Sequence, residues 1–417
     1  MYLYNSLTRT IEPFEPRGSE VNVYTCGITP YDTTHLGHAF TYTSVDILIR
    51  YLESLGLKVN YVQNVTDIDD DILRKAREVG ENWHSLGNRW TAHFIRDMQA
   101  LNVRPPDYYP RATDVISEII STVQRLISTG LGYEADGNVY FHVDRWKEFG
   151  KLSRLTRDEM LAVANERGNR PDDPNKRNPL DFVLWQAQAP GEPAWESPWG
   201  PGRPGWHIEC SVMSTKYLGE VIDIHCGGGD LSFPHHECEI AQVEPISPKG
   251  HFVRFWMHIA MVHYQGAKMS KSIGNLIMVR DLLEKWSPNA LRLYLGSHHY
   301  RDTWSYNEDD LKWAEDLARE IDLALSAESE SRATLDAQNF WNSFKQSMDS
   351  DLNTSGAIQT ITELTRAILA ASQRKDNVIQ AKQTLKEMVR IFGYQYPLGQ
   401  LDPRVIEGWE MHLARFI

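Results

Sequence analysis

Cysteine is scarce in this chain: four residues in 417, Cys26, Cys210, Cys226 and Cys238, scattered along its length. So sparse a set excludes a disulfide scaffold and leaves reduced thiols or metal ligands. No apolar run reaches the roughly 18 residues that a membrane-spanning helix needs. The N-terminus, Met1-Tyr2-Leu3-Tyr4-Asn5-Ser6, lacks a basic stretch followed by an apolar one. No secretory signal is therefore expected, and a cytoplasmic location without a membrane partner is. Positive charge is in deficit: 43 Lys and Arg stand against 56 Asp and Glu, a net charge of −13. That balance offers a polyphosphate partner no general attraction and argues against a large RNA footprint, although a local basic patch would still serve. Internal repeats and low-complexity tracts are also lacking.

What is present is ordinary for a globular chain, 41% hydrophobic and 24% charged, and too long for a single core. Residues 21–25 alternate and are β-prone, which predicts a strand running into Cys26-Gly27. Residues 39–55 carry helical spacing (Val45, Leu48, Ile49, Leu52) and stop near Gly56; residues 59–65 read as a second strand. Strand, helix, strand in this order is a βαβ unit and implies a parallel sheet. A long helix is predicted over 113–129, with Val115, Ile116, Ile119, Ile120, Val123, Leu126 and Ile127 on one face and Gly130 ending it. Residues 165–204 are rich in Pro and Gly and carry Trp185, Trp195 and Trp199, as a structured insertion or a long loop would. Strand-like runs return at 221–225 and 251–257. From 280 onward the pattern is helical, as in Val378, Ala381, Leu385, Met388 and Phe392, closed by Gly393. The expected organisation is an α/β domain in two halves, residues 1–120 and 205–300, split by an insertion at 121–204 and followed by a helical bundle at 301–417.

Two short motifs point to phosphate chemistry. His35-Leu36-Gly37-His38 opens the first predicted helix, with two imidazoles at i and i+3 on one face. Free N–H groups at such a helix start favour an anion, and Gly37 lets a flat base approach the backbone. Alone, the tetrapeptide reads more readily as two surface histidines at a cap. Far downstream, Lys268-Met269-Ser270-Lys271-Ser272 places two lysines around small hydroxyl residues, a positive arm for a leaving pyrophosphate or a solvated loop. Together and in this order the two motifs resemble the signature pair of class I aminoacyl-tRNA synthetases. That resemblance implies a Rossmann-like catalytic domain, with His35, Gly37, His38, Lys268 and Lys271 binding ATP and His35, His38, Lys268 and Lys271 stabilising charge on its phosphates, helped by magnesium.

The metal signal is dispersed. Cys26 ends the first strand, Cys210 lies in Gly205-Trp206-His207-Ile208-Glu209-Cys210, and a third cluster is His235-His236-Glu237-Cys238-Glu239. Zinc takes four ligands from thiolate, imidazole and carboxylate, and His235 and Glu239 at i and i+4 would share a helix face. No local CxxC exists, and a buried cysteine is commonly a small hydrophobe. These segments resemble the zinc site of cysteinyl-tRNA synthetases, which implies Cys26, Cys210, His235 and Glu239 as ligands, with Cys226 and Cys238 outside the set. The same resemblance implies Gly27, Thr29, Thr66 and Trp206 around the substrate L-cysteine, and Gly228 and Asp230 at the adenosine. Zinc bound to the substrate thiolate would separate cysteine from serine, which an apolar pocket does poorly.

The acceptor is the open point. Two families share this core: cysteinyl-tRNA synthetases, which esterify tRNA(Cys), and mycothiol cysteine ligases, which acylate the amine of glucosaminyl-inositol. Pro30, the Thr34-His35-Leu36-Gly37-His38-Ala39 form, Arg167-Gly168 with residues 170–181, and the short tail after the last bundle helix resemble the mycothiol ligase. Glu239, residues 66–70 and residues 150–153 resemble the tRNA enzyme. The short tail, the His35 region and the acidic balance favour a small amine such as glucosaminyl-inositol; the short tail is expected to leave no room for an anticodon-binding domain, and the resemblance implies a monomer; a catalytically silent synthetase paralogue is the alternative from another class.

Overall fold

The β-branched and aromatic runs read as strands form the centre of the molecule. In the computed structural model, which describes all residues except Thr33 and residues 270–273, and only the backbone at Lys268, Glu20–Ile28 and Lys58–Val65 are parallel neighbours. Ile222–Gly228 pairs on the other side of Glu20–Ile28, and Val253–Ile259 lies beyond it, completing a four-stranded parallel sheet. Nearly every position of these strands is buried, as expected for a sheet covered on both faces. The connecting helix Leu36–Ser54 begins three residues before the predicted start. Its N-cap is His35, whose Nδ1 accepts from the backbone N–H groups of Gly37 and His38 at 3.1 and 3.4 Å.

A fifth, irregular strand lies beyond Lys58–Val65. Gln63 donates its N–H to the Tyr108 carbonyl at 3.2 Å and Val65 to that of Pro110 at 2.8 Å. Pro105, Pro106 and Pro110 keep this segment from forming a regular ladder.

The 165–204 stretch is structured. Phe182–Ala187 and Gly202–Pro204 extend an antiparallel sheet begun by Gly132–Ala135 and Asn138–Phe141. Trp185 is fully buried, with its ring centroid 6.0 Å from that of Trp199, and none of the three tryptophans lines the main cavity.

The C-terminal part is built of Glu308–Ser326, Gln338–Asp349, Thr354–Gln373, Ile379–Ile391 and Pro403–Leu413. The predicted stripe from Val378 to Phe392 faces its core. A buried ionic hub joins it to the sheet. Asp46, on the Leu36–Ser54 helix, accepts from Arg50 Nε at 2.9 Å, from the Arg104 N–H at 2.8 Å and from Arg292, whose Nε reaches the Phe392 carbonyl. Burial works to raise the Asp46 pKa, but Arg50 and Arg292 outweigh it and hold the carboxyl below its ordinary value. Among the described residues no helix is long and apolar enough to cross a membrane.

Candidate active site and metal centre

A cavity of about 1490 Å³ opens at the carboxyl ends of the parallel strands, the place where α/β sheets bind ligands. Gly27, Thr29, His35, Gly37, His38, Trp206, Gly228 and Asp230 all line it. The His35 and His38 rings stack 3.7 Å apart across the helix start. Arg167, Arg170 and Lys176, from the stretch between Arg157–Glu166 and Phe182–Ala187, form part of the opposite wall, where Arg167 pairs with Asp230 at 3.6 Å.

Thr66 differs from the expectation. It does not line the cavity but stands behind it, its hydroxyl accepting from Asn64 Nδ2 at 3.2 Å while Asn64 Oδ1 accepts from the Gly27 N–H at 2.7 Å. Gly27 is required here by a close approach. A Cβ at that position would lie 1.5 Å from the Asn64 carbonyl oxygen. The strand pairing shifts register at the same place, between Thr25 and Ile28, and turns Cys26 towards the floor. Lys268 sits in the short strand Ala267–Lys268, paired with Val262–Tyr264. Lys271 lies outside the described residues.

Beneath the cavity, one donor atom each from Cys26, Cys210, His235 and Glu239 fall within 4.8 Å of one another, all buried. Cys26 Sγ is 3.9 Å from Cys210 Sγ and 3.8 Å from Glu239 Oε1, and His235 Nε2 is 3.2 Å from that oxygen. Tetrahedral zinc, with bonds of about 2.0–2.3 Å, sets its ligands roughly 3.2–3.8 Å apart, so the group fits the ion. Burial raises the Cys26 thiol and the Glu239 carboxyl well above their ordinary pKa values and keeps His235 neutral, its lone pair available. A divalent cation among them offsets the first two effects. Cys226 lies in the core, 3.9 Å from Met257 Sδ, and Cys238 reaches the cavity wall. Neither belongs to a candidate ligand group among the described residues.

Sequence reading missed the histidines that surround these donors. His207 Nδ1 pairs with His235 Nδ1 at 3.0 Å, which leaves Nε2 turned to the centre. His225 Nε2 holds Glu239 Oε2 at 2.9 Å, and His236 Nε2 approaches Cys26 Sγ at 3.4 Å. His236 is itself held by His258 at 2.8 Å, and His258 by Ser6 Oγ at 2.7 Å. Such outer contacts fix ring orientation and ligand basicity. Cys26, His225, His236 and Glu239 form a second group of the same compactness. The available signal was density: six histidines fall between 207 and 258, and all but the exposed His251 gather at or around the donors, with His225, His235 and His236 buried. Trp206 covers the floor, stacked 4.4 Å from His235.

The family model of the tRNA synthetases class I (C) catalytic domain matches residues 13–316, and that of the DALR domain matches residues 343–395. A cysteine–tRNA ligase of Idiomarina loihiensis is 43% identical over 99% of this chain and 89% of its own. Those of Dehalococcoides mccartyi and Pyrococcus horikoshii are each 44% identical over 94% of this chain and 86% of theirs. The chain belongs to the cysteine–tRNA ligase family.

Among solved structures, a Mycobacterium tuberculosis methionyl-tRNA synthetase with methionyl-adenylate superposes with a TM-score of 0.64 at 15% identity, covering 89% of each chain. A LeuRS of Agrobacterium radiobacter in a complex with tRNA and LeuAMS gives 0.65 at 10% identity, covering 97% of this chain and 86% of that one. These two share the fold. As a member of this cysteine–tRNA ligase family the chain is an ATP-dependent ligase.

Two expectations are corrected. The small-amine acceptor of a mycothiol ligase is overturned, because curated relatives along nearly the whole chain are cysteine–tRNA ligases. The absence of an anticodon-binding domain is overturned too: the helices between 343 and 395 match the DALR domain, which is of that kind. The apolar stripe of a helix reports its buried face and says nothing of what its outer face binds. Net charge misled for a similar reason. A sum over the chain carries no information about where the arginines and lysines stand, and four of them, Arg167, Arg170, Lys176 and Arg203, line the cavity.

Proposed function

We propose that this protein attaches L-cysteine to the terminal adenosine of tRNA(Cys) through a cysteinyl-adenylate made from ATP and magnesium. The observation that carries the reading is the buried Cys26, Cys210, His235 and Glu239 cluster at the foot of the cavity. It stands in a chain 43–44% identical to cysteine–tRNA ligases over nearly its whole length. Zinc held there supplies a Lewis acid that binds the substrate as its thiolate, which serine's hydroxyl matches poorly.

The chain's own residues do the rest. Trp206 covers the floor, and Gly27 and Thr29 present backbone and hydroxyl groups to the amino acid. The cysteine carboxylate attacks the α-phosphorus of ATP and pyrophosphate leaves. The stacked His35 and His38 at the start of Leu36–Ser54 meet the phosphates through their side chains, because the first-turn N–H groups of Leu36, Gly37 and His38 are already bonded to the Ile277 carbonyl and to His35 Nδ1. Lys268 and Lys271 offset charge on the leaving pyrophosphate. Gly228 and Asp230 meet the adenosine. No side chain needs to act as a covalent nucleophile. The ribose hydroxyl of the tRNA then displaces AMP, a step carried by positioning. The cavity exceeds the roughly 300–1,000 Å³ of a usual small-ligand site, which leaves room for a terminal nucleotide beside the adenylate.

The test is incubation of the pure protein at catalytic concentration with ATP, magnesium, labelled cysteine and tRNA. Acid-precipitable cysteine that depends on tRNA is the expected result. Cysteine-dependent pyrophosphate exchange without any charging of tRNA would refute the acceptor, and no exchange would refute the activation step.

A further inference from the structure

The C-terminal helix Pro403–Leu413 and the residues just after it lie outside both matched family regions, yet they dock on the catalytic sheet. Their partner is the irregular edge strand at 103–111. The carbonyls of that segment point alternately to two sides. On one side those of Tyr108 and Pro110 accept from Gln63 and Val65 of the central sheet. On the other, Val103 accepts from Trp409 Nε1 at 2.8 Å, Pro106 pairs with His412 Nε2 at 2.7 Å, and Tyr109 accepts from Arg415 Nη1 at 2.9 Å. Trp409, His412 and Arg415 are spaced by three, one face of a helix. The helix thus takes the place of the next strand and supplies donors to an edge that its prolines keep irregular. Trp409 and Phe416 are buried there, with the Arg111 guanidinium 4.2 Å above the Phe416 ring.

The edge segment runs on to Thr113, which bonds the chain just behind the cavity. Thr113 donates its N–H and its hydroxyl to Asp67, at 3.0 and 2.6 Å. Asp67 separates Thr66, which holds Asn64 and through it the Gly27 N–H, from Asp69, which lines the cavity. One continuous set of bonds therefore leads from the C-terminal helix to the backbone beside Cys26.

We infer that Trp409, His412 and Arg415 are positioning residues for the amino-acid pocket, holding the 64–69 segment behind it and Gly27 at its edge in place through the 103–111 segment. This rests on the cysteine-activation reading above. The distinguishing consequence is selectivity among substrates: the 64–69 segment supports Gly27 beside Cys26, whereas His35 and His38 are carried by the start of Leu36–Ser54.

The test uses the full chain with Trp409→Phe and Arg415→Met combined, which removes two donors and keeps the apolar contacts. Met411→Ala, on the exposed side of the same helix, is the control. Cysteine-dependent pyrophosphate exchange is measured with zinc content and thermal midpoint. We expect KM for cysteine to rise five- to thirtyfold, KM for ATP and zinc content to stay within twofold, and Arg415→Lys alone to behave as the parent chain. An unchanged KM for cysteine, or equal changes in both KM values, overturns the inference. Should the double variant fail to fold, Arg415→Met alone is read by the same criteria. A parent chain without exchange would instead overturn the activation reading.

Discussion

Gly27→Ala is the sharpest test of how the sheet shapes the site. A Cβ at this position would sit 1.5 Å from the Asn64 carbonyl oxygen, against a floor of about 3.0 Å for real contacts. The two central strands must therefore part by roughly 1.5 Å. That separation breaks the Gly27 N–H to Asn64 Oδ1 bond of 2.7 Å and the Thr66 N–H to Ile28 carbonyl bond of 3.0 Å. Two such bonds are worth about 1 kcal/mol each. Forced repacking adds about 1–3 kcal/mol, for a total near 3–5 kcal/mol. For a domain of this size that lowers the thermal midpoint by about 10 °C. The functional loss should be larger, because Cys26 and Thr29 flank the displaced residue. Misplacement by about 1 Å commonly costs on the order of 100-fold in rate. Differential scanning fluorimetry and cysteine-dependent pyrophosphate exchange measure the two effects. A variant that melts within 2 °C of the parent (on the order of 1 kcal/mol or less) and exchanges at the parental rate would refute the close-approach argument.

Other perturbations probe the metal, the phosphate arm, the ionic hub and the cavity wall. Cys210→Ser should lose zinc during dialysis against a weak chelator and bind cysteine more weakly; full occupancy would remove Cys210 from the ligand set. Lys268→Ala should slow adenylate formation by about 10²–10³ with zinc content unchanged, and parental exchange would count against its role. Arg292→Met strips one of two cations from the buried Asp46 and should cost about 2–4 kcal/mol in urea denaturation, a loss below about 1 kcal/mol being inconsistent with the hub. Burial raises the Asp69 carboxyl to about 7, so between pH 4 and 7 the folded chain keeps a proton that the unfolded chain has released, and this group's contribution to stability falls as pH rises through that window. Asp69 is partly open to the cavity, which limits the effect: relative to Asp69→Asn, the parent should lose about 1–2 kcal/mol between pH 5 and 8, and a difference that does not vary with pH would refute it.

The legible parts of the fold are those where local pattern and burial coincide. Val21, Val23 and Tyr24, and Val59, Tyr61 and Val62, are β-formers in strands buried on both faces, so they stand out as strands. The stripe ending at Phe392 and the stop at Gly393, with its φ of +71°, were equally plain. The edge strand at 103–111 was not, because its prolines suppress every β signal and its partners are far away in sequence, near residue 63 on one side and near residue 409 on the other. The same distance hides the role of the C-terminal helix.

At the metal floor, motifs name a site that periodicity alone does not assemble. Its donors arrive by different routes. Cys26 comes from the end of a central strand, Cys210 from the second turn of Trp206–Leu218, and His235 and Glu239 from a bent turn and the helix Glu237–Val243. Periodicity reports which face of each element is buried, and all four residues are on buried faces, where a cysteine or histidine looks like any other core residue. What separates a ligand from a packed side chain is the company brought by the tertiary fold. A lone buried Glu239 would be expelled by its desolvation cost. With His225 holding one oxygen, and Cys26 and His235 beside the other, the same burial instead builds a dry, preorganised floor. There a cation can tell sulfur from oxygen.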